Sequence, residues 1–306
     1  MKATEIKNIL FPTDFSRIGM MAMNHAVYMA GLLKANLHLL HVVEALGYTY
    51  STYESDEVIA DIEDTYAKAT ATLKKLASLI KKTNSIDVNT VIGSGQPATS
   101  IANTVKEHEI DLIIMGTHGA SGFEEYFIGS NAHRVVNLAP CPVITVQGDA
   151  KKAEFKNIVM PIGDSVYSRQ KVNYVCRLAA LYGARVHILG LLNYDTGELD
   201  EKRFNIKLES VGEVMEKAGI PYICKVVKGL NIATEAMKYS EQVDADLIVI
   251  MTDYESTLNG GFLSSLFAKQ IVNHSRVPVM SIKPAPEYNA MQSHLVRQAN
   301  AYGHGN

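Results

Sequence analysis

Residues 111–146 read DLIIMGTHGASGFEEYFIGSNAHRVVNLAPCPVITV, and this stretch decides the fold. The apolar run at 112–115 predicts a buried strand, which stops abruptly at a glycine loop, 116–119. A second glycine turn, 129–131, precedes a helical pattern that ends at 140–142. Glycines let backbone N–H groups approach a ligand closely, and a helix start adds unpaired donors at the positive end of its dipole. The stretch therefore predicts an anion site, and a phosphate chain is the anion that it suits best.

Strands alternate with helices on either side of this stretch. Short apolar runs at 7–11, 37–43, 88–92 and 143–146 predict further strands, and their near-continuous apolar character is typical of parallel strands buried on both faces. Apolar residues at helical spacing predict intervening helices, with Ser16 as an N-cap for the helix at 18–33, a long helix at 59–80 and Pro97 at the start of a third. This alternation predicts an α/β fold with a mainly parallel sheet and helices on both faces.

The pattern then restarts. The segment 156–161 repeats 7–12 at an offset of 149, and 246–248 repeats 111–113 at an offset of 135. The second copy therefore lacks 149 − 135 = 14 residues between its second and third strands, which predicts a shorter helix there. We expect two tandem five-stranded domains, at 1–149 and 150–284, followed by a polar, flexible tail at 285–306.

Composition excludes several classes of protein. With 47% hydrophobic and 20% charged residues among 306, the chain is globular, and its formal net charge of −3 gives no reason to expect a nucleic-acid or membrane-surface partner. The first seven residues lack the apolar segment of a signal peptide, and no apolar run approaches the roughly 20 residues that span a bilayer. Three widely spaced cysteines suit a reducing compartment. We expect a soluble, cytoplasmic protein.

Two common nucleotide motifs are missing. A dinucleotide-binding unit needs GxGxxG directly after its first strand, but the turn here is Pro12-Thr13-Asp14-Phe15-Ser16, and no GxxxxGK[ST] string occurs. In an open α/β sheet, ligands bind beyond the carboxyl ends of the strands, so Asp14, Val42 and Met115 are expected to face one crevice. Asp14 would suit a ribose hydroxyl or an adenine amino group, although it could instead cap the helix near Ser16.

The spacing Gly116-x2-Gly119-x9-Gly129-Ser130-Asn131, with Pro12-Thr13-Asp14 after the first strand, resembles the ATP-binding branch of the universal stress protein (UspA) family. The resemblance covers both copies and implies tandem Rossmann-like domains of the HUP, or adenine nucleotide alpha hydrolase-like, class. It implies pairing of the copies through their fifth strands, 143–146 and 279–282. It also implies an ATP site, which we expect to include Mg²⁺. The implied adenosine contacts are Pro12, Thr13, Asp14, Val42 and Met115, and the implied phosphate contacts are Gly116, Thr117, His118, Gly119, Gly129, Ser130 and Asn131, with Gly122 nearby.

The second copy departs from this motif. Gly116-Thr117-His118-Gly119 becomes Met251-Thr252-Asp253-Tyr254, and Gly129-Ser130-Asn131 becomes Ser264-Ser265-Leu266. Side chains replace the glycines, and Asp253 would bring negative charge near the phosphates. We therefore expect one ATP site per chain, in the first copy.

Three functions stay open at this point. The first is a regulatory or stress-response protein in which ATP acts as a switch that orders the glycine loop and the helix after Ser130. The second is a slow ATP hydrolase, for which Asp14 and His118 are the only candidates to orient a water. Neither is a convincing base, so we assign no catalytic residue. We also assign no metal ligand. The third is a nucleotide-independent interaction scaffold. A homodimer and unknown protein partners are compatible with each.

Overall fold

The computed structural model describes residues 5–44, 56–117, 129–147, 152–252 and 262–284. Within these ranges the first repeat has ten elements, which follow the predicted alternation. Its strands are β1 (Asn8–Pro12), β2 (Asn36–Val43), β3 (Val88–Ser94), β4 (Leu112–Gly116) and β5 (Val143–Val146). Its helices are α1 (Arg17–Met21), α2 (Met23–Leu33), α3 (Asp56–Asn84), α4 (Pro97–Glu107) and α5 (Ser130–Leu138).

The second repeat has the same element order. Its strands are β6 (Asn157–Ile162), β7 (Arg185–Asn193), β8 (Tyr222–Gly229), β9 (Leu247–Met251) and β10 (Val279–Ile282). Its helices are α6 (Val172–Tyr182), α7 (Glu198–Lys217), α8 (Ile232–Gln242) and α9 (Phe262–His274), and a 3-10 helix spans Val166–Arg169. The predicted shortening is confirmed, because α7 has 20 residues where its counterpart α3 has 29.

The strands of both repeats join into one sheet. Within the described residues ten strands lie in the order β3-β2-β1-β4-β5-β10-β9-β6-β7-β8. Pairing inside each repeat is parallel, whereas β5 and β10 pair antiparallel with Ile144 opposite Met280. The predicted pairing of the two copies through their fifth strands is therefore confirmed within this chain. A homodimer stays a prediction.

Helices cover both faces of the sheet, because each strand of the centre is apolar on both sides. On one face, α2, α3, α6 and α7 contribute to a continuous apolar cluster that runs across both repeats. On the other face, α4 and α5 cover the first repeat, and α8 and α9 cover the second, with a separate cluster beneath each pair. The shared cluster means that the two repeats bury apolar surface against each other beyond their edge strands.

The helix predicted after Ser16 differs from the structure in one respect. Ser16 is the N-cap, as predicted, but Ala22 separates the five-residue α1 from α2. The N–H of Ala22 donates to the carbonyl of Gly19 at 3.3 Å, and that of His25 donates to the carbonyl of Ala22 at 3.2 Å. These three-residue spacings tighten the turn and interrupt the regular helix, which the apolar periodicity does not reveal.

Candidate functional site

A cleft of about 460 Å³ opens at the carboxyl ends of β1, β2 and β4. It lies where the chain reverses its strand order, because β1 pairs with β2 on one side and with β4 on the other. All of the predicted contact residues that the structure describes line this first-repeat cleft, namely Pro12, Thr13, Asp14, Val42, Met115, Gly116, Thr117, Gly129, Ser130 and Asn131. The other predicted contacts, His118, Gly119 and Gly122, lie outside the described residues.

The β1–α1 turn forms one wall and is held by hydrogen bonds on several sides. The N–H of Thr13 donates to the carbonyl of Leu40 at 2.8 Å. The hydroxyl oxygen of Thr13 accepts from the N–H of Phe15 at 3.0 Å. Phe15 has a left-handed φ of 61°, and its ring stacks on His41 with 4.4 Å between the centroids. Nδ1 of His41 donates to the carbonyl of Thr13 at 2.8 Å. The turn is therefore fixed before any ligand binds.

Asp14 has the capping contact that its position near Ser16 made possible. Its Oδ1 accepts from the N–H of Ser16 at 3.0 Å, and the Ser16 hydroxyl in turn accepts from the N–H of Gly19 at 3.0 Å. The carboxylate is exposed and lines the cleft. Asp14 can thus organise the turn and face a ligand at the same time.

The floor of the cleft is the junction between β4 and α5. Thr117 is 1% exposed, and its hydroxyl donates to Oε1 of Gln147 at 2.7 Å. Its carbonyl accepts from the N–H of Gly129 at 2.7 Å, which joins the end of β4 to the start of α5. Gly129 has a φ of −58°, so its backbone conformation does not itself require glycine. If function requires glycine here, the reason is the room that the absent side chain leaves for a ligand, and not the backbone conformation.

Two helices begin at the cleft without side-chain caps. Gly129 precedes α5 and Gln96 precedes α4, and neither makes a side-chain hydrogen bond to its helix. Neither helix has an acidic residue in its first turn. The first-turn N–H groups are therefore available to an anion, with the positive ends of both dipoles beside it.

Sequence reasoning missed part of this lining. Gly19, Glu44, Pro97, Ile101 and Ala132 also line the cleft. Glu44 is the first residue after β2, and Asp14 is the second after β1, so the carboxyl-end rule that selected Asp14 would have found Glu44 as well. Pro97 and Ile101 carried only a helix signal, because no local pattern indicates which helix start lies above a given strand end.

The second repeat has a methionine at the strand end where β4 of the first repeat has a glycine. Met251, which replaces Gly116, is 2% exposed and lines a separate cleft, together with Phe267 at the position of Ala132. Asp253 and Tyr254 lie outside the described residues, and the side chains of Ser264, Ser265 and Leu266 are likewise not described. The predicted loss of the second nucleotide site stays a prediction, and the buried Met251 supports it.

Two buried histidines and Cys141 have structural surroundings. Nε2 of His38 donates to Oδ1 of Asn8 at 3.3 Å, and Nδ1 of His187 lies 3.1 Å from the hydroxyl of Tyr239. Burial lowers the pKa of both imidazoles. Burial also raises the pKa of the Cys141 thiol to about 12, which leaves it protonated and unreactive near neutral pH.

The part of the chain that the structure describes contains neither a metal-binding cluster nor a helix that could span a membrane. No cluster of three or more His, Cys, Asp or Glu side chains there is arranged to hold a metal ion. Among the same residues, no helix combines the length and apolar character needed to cross a bilayer.

The fold and the cleft define a class, namely tandem α/β proteins that join two open parallel sheets through their edge strands. The model of the universal stress protein family matches residues 5–147 and 154–283. The chain belongs to the universal stress protein family, with two tandem domains.

Related proteins agree with this assignment. A universal stress protein of Methanocaldococcus jannaschii is 30% identical over 147 residues, covering 48% of this chain and 85% of that protein. The universal stress protein YxiE of Bacillus subtilis is 30% identical over 144 residues, covering 45% of this chain and 97% of YxiE. A solved universal stress protein of Archaeoglobus fulgidus has a TM-score of 0.75 at 18% identity, covering 92% of this chain and all of that one. The last resemblance concerns the fold alone, and it extends over both domains.

Proposed function

We propose that this protein is a nucleotide-dependent regulatory protein of stress responses that holds one ATP, with Mg²⁺, in the first-repeat cleft. The observation that carries the proposal is the convergence of the predicted contacts. Residues far apart in the sequence, such as Asp14, Val42, Met115 and Ser130, line one cleft at the strand-order reversal. A volume of about 460 Å³ is also within the range of small-molecule sites.

The charges of the cleft support a metal–nucleotide complex over a bare anion. Among the described lining residues, Asp14 and Glu44 are acidic and none is Lys or Arg. Backbone N–H groups at the starts of α4 and α5 would supply donors to phosphate oxygens. Mg²⁺ is usually bound through phosphates and one or two carboxylates, so it would offset the charge that the described side chains leave unbalanced.

The junction of β4 and α5 supports a switch. A phosphate seated there would touch the end of β4 and the first turn of α5, which the Gly129–Thr117 hydrogen bond already joins. Val135 of α5 is fully buried in the cluster that includes α4. A ligand that stabilises the start of α5 would therefore act on a helix pair packed over one face of the sheet.

Hydrolysis has less support. An attacking water needs a group that orients it in line with the γ-phosphate. Oδ1 of Asp14 already accepts from the N–H of Ser16, and His118 lies outside the described residues. We therefore expect binding without rapid turnover.

The test is a calorimetric titration of the full chain with MgATP, together with a phosphate-release assay. We expect one site per chain and no appreciable phosphate release. Gly116→Val should abolish binding, because a branched side chain at the end of β4 would fill the phosphate path. Met251→Val, at the equivalent position of the second repeat, is the matched control and should bind as the wild type does.

Two results would contradict the proposal. An absence of heat with millimolar MgATP would show that the protein does not bind ATP. Equal sensitivity to Gly116→Val and Met251→Val would remove the assignment to the first repeat.

A further inference from the structure

The second repeat has its own cleft, of about 390 Å³, at the carboxyl ends of β6, β7 and β9. It occupies the position that the first-repeat cleft has in its own sheet, because Leu191 and Ile250 stand where Val42 and Met115 stand. The second-repeat cleft is therefore the same crevice of the fold with different side chains.

Its walls are mainly apolar. The apolar lining residues are Pro161, Leu191, Leu192, Phe204, Ile232, Ile250, Met251 and Phe267. Helix α7 packs closely on β7 beside this cleft, since a Cβ on Gly190 would lie only 2.6 Å from Leu208 and 2.9 Å from Phe204. His41 occupies the position of Gly190 in the first repeat, so this approach of α7 is particular to the second.

A buried lysine lies in this cleft. Lys171 stands at the position of Ala22 and is 2% exposed. Its Nζ donates to the carbonyl of Ser168 at 2.7 Å and to the hydroxyl oxygen of the same residue at 3.2 Å. That hydroxyl oxygen also accepts from the N–H of Gly163 at 3.0 Å, so Ser168 anchors both the amine and the β6 turn.

The amine of Lys171 is incompletely satisfied. A protonated lysine has three N–H donors, and two of them bond to Ser168. No carboxylate within the described ranges forms an ion pair with it, and burial is the one influence on its charge. Burying an ammonium without a counter-charge is costly, and burial lowers the pKa of Lys171 to about 7. A negatively charged ligand group would supply both the missing hydrogen-bond acceptor and the missing counter-charge.

The charges around the mouth of the cleft limit what that group can be. Asp164, Asp195 and Asp200 all line it. Asp164 pairs with Lys207, and Asp200 lies 3.6 Å from Arg203, but Asp195 has no ion pair among the described residues. Met251 and Phe267 line this cleft at the positions of Gly116 and Ala132, so a polyphosphate chain has less room here than in the first repeat. A single negative charge would also meet less repulsion from the acidic rim than a polyphosphate would.

We propose that the second-repeat cleft binds a monocarboxylate with a compact apolar body, whose carboxylate pairs with the buried amine of Lys171. The apolar body lies against Leu191, Ile232 and Ile250. The two repeats then have different ligands in equivalent crevices, a nucleotide in the first and an apolar acid in the second.

Calorimetric titration of the full chain with hexanoate, butyrate and hexanamide tests this site. Hexanoate should bind about fifteenfold more tightly than butyrate, because each buried CH₂ contributes roughly a factor of four. Hexanamide has the same apolar body without the charge and should bind more weakly than hexanoate. Saturating MgATP should leave hexanoate affinity unchanged, so failure of this site and failure of the nucleotide site are distinguishable.

Variants identify the residues. Lys171→Met should weaken hexanoate binding by roughly tenfold to a hundredfold, as expected for a hydrogen bond to a charged group. The fold should tolerate it, since the equivalent Ala22 is apolar. Lys217→Met, on an exposed lysine of the same repeat, is the matched control and should have no effect. Ile232→Trp should block binding by filling the cleft while it retains the amine.

The pH dependence supplies an independent readout. The amine attracts a carboxylate only when protonated, so hexanoate affinity should fall by up to roughly tenfold per pH unit above the pKa of the unoccupied Lys171 amine, which is about 7. That dependence should disappear in Lys171→Met. Absence of hexanoate binding at roughly 10 mM, equal binding of hexanamide, or unchanged binding by Lys171→Met and Ile232→Trp would each overturn the proposal.

Discussion

At the scale of single residues, the buried hydroxyl of Thr117 shows how side chains support the first-repeat cleft. It donates to Oε1 of Gln147, which is itself 8% exposed. Among the described residues, the hydroxyl of the equivalent Thr252 contacts only the carbonyl of Ile282, at 3.4 Å. The backbone N–H of Thr117 donates to a carbonyl of β5 and that of Thr252 to a carbonyl of β10, so the side chains differ while the backbone bonding is the same.

Thr117→Val should lower the free energy of unfolding by about 1–3 kcal/mol, because it leaves a buried amide oxygen without its donor. Thr252→Val is the matched control and should cost less, since its contact is long and is made to a carbonyl that already accepts from a backbone N–H. Urea unfolding measures both. Equal losses would show that the Thr117–Gln147 bond has no special weight.

At the scale of helices, the two repeats cap the equivalent helices α4 and α8 differently. Oδ1 of Asn231 accepts from the N–H groups of Ala233 and Thr234, both at 3.1 Å, at the start of α8. Gln96 at the same position makes no such bond at the start of α4. The uncapped helix is the one that opens on the proposed nucleotide site, where a ligand would satisfy the same donors.

Asn231→Ala should destabilise the protein by about 1 kcal/mol through loss of the cap. Gln96→Ala is the control and should change stability by less, because its side chain caps nothing. Chemical unfolding with a helix-sensitive circular dichroism readout measures both. A larger loss for Gln96→Ala would contradict the capping difference.

At the scale of the whole molecule, the two repeats are joined on a helical face as well as through β5 and β10. His25 of α2 is 2% exposed and lies 6.1 Å, between ring centroids, from Phe155, which precedes β6. Neither ring nitrogen makes a hydrogen bond of normal geometry with the described residues. Burial lowers the pKa of His25, and the nearby backbone of Lys152 offsets part of that effect.

This junction should make stability depend on pH. The folded state disfavours the protonated imidazole, so the unfolded chain binds more protons below its ordinary pKa of about 6.5. Stability is therefore complete above that pH and falls as pH decreases toward the lower folded-state pKa. The same sign holds for His38 and His187.

Urea unfolding at pH 7.5 and 5.5 should show a loss in the wild type that is smaller in His25→Met, which cannot titrate at this position. The variant also measures any packing change directly at pH 7.5, where the wild-type imidazole is neutral. An unchanged pH dependence in His25→Met would exclude His25 as a contributor.

Much of the fold could be predicted from sequence because it rests on two kinds of pattern, apolar runs along the chain and an internal repeat. Continuous apolar runs indicated the buried strands, and the change of offset from 149 to 135 located the shortened helix α7. The interruption at Ala22 was not predictable, since apolar spacing continues unchanged across it. The cleft was predicted only in part: motif spacing indicated Gly116 and Gly129, whereas only the fold brings Pro97 and Ile101 into the lining.

The sequence by itself determined the duplication, the α/β alternation and the presence of a glycine motif in one copy alone, because these are properties of residue order and periodicity. Only the tertiary structure decided what lies across each crevice, because residues such as Asp14, Glu44 and Ser130 meet through parallel strand pairing and not through proximity along the chain. Only the tertiary structure also shows that Lys171 is buried in the second-repeat cleft, because nothing in the sequence distinguishes it from an ordinary charged residue. In the fold its amine is enclosed at the position of an alanine, where the burial of its charge gives it chemical significance.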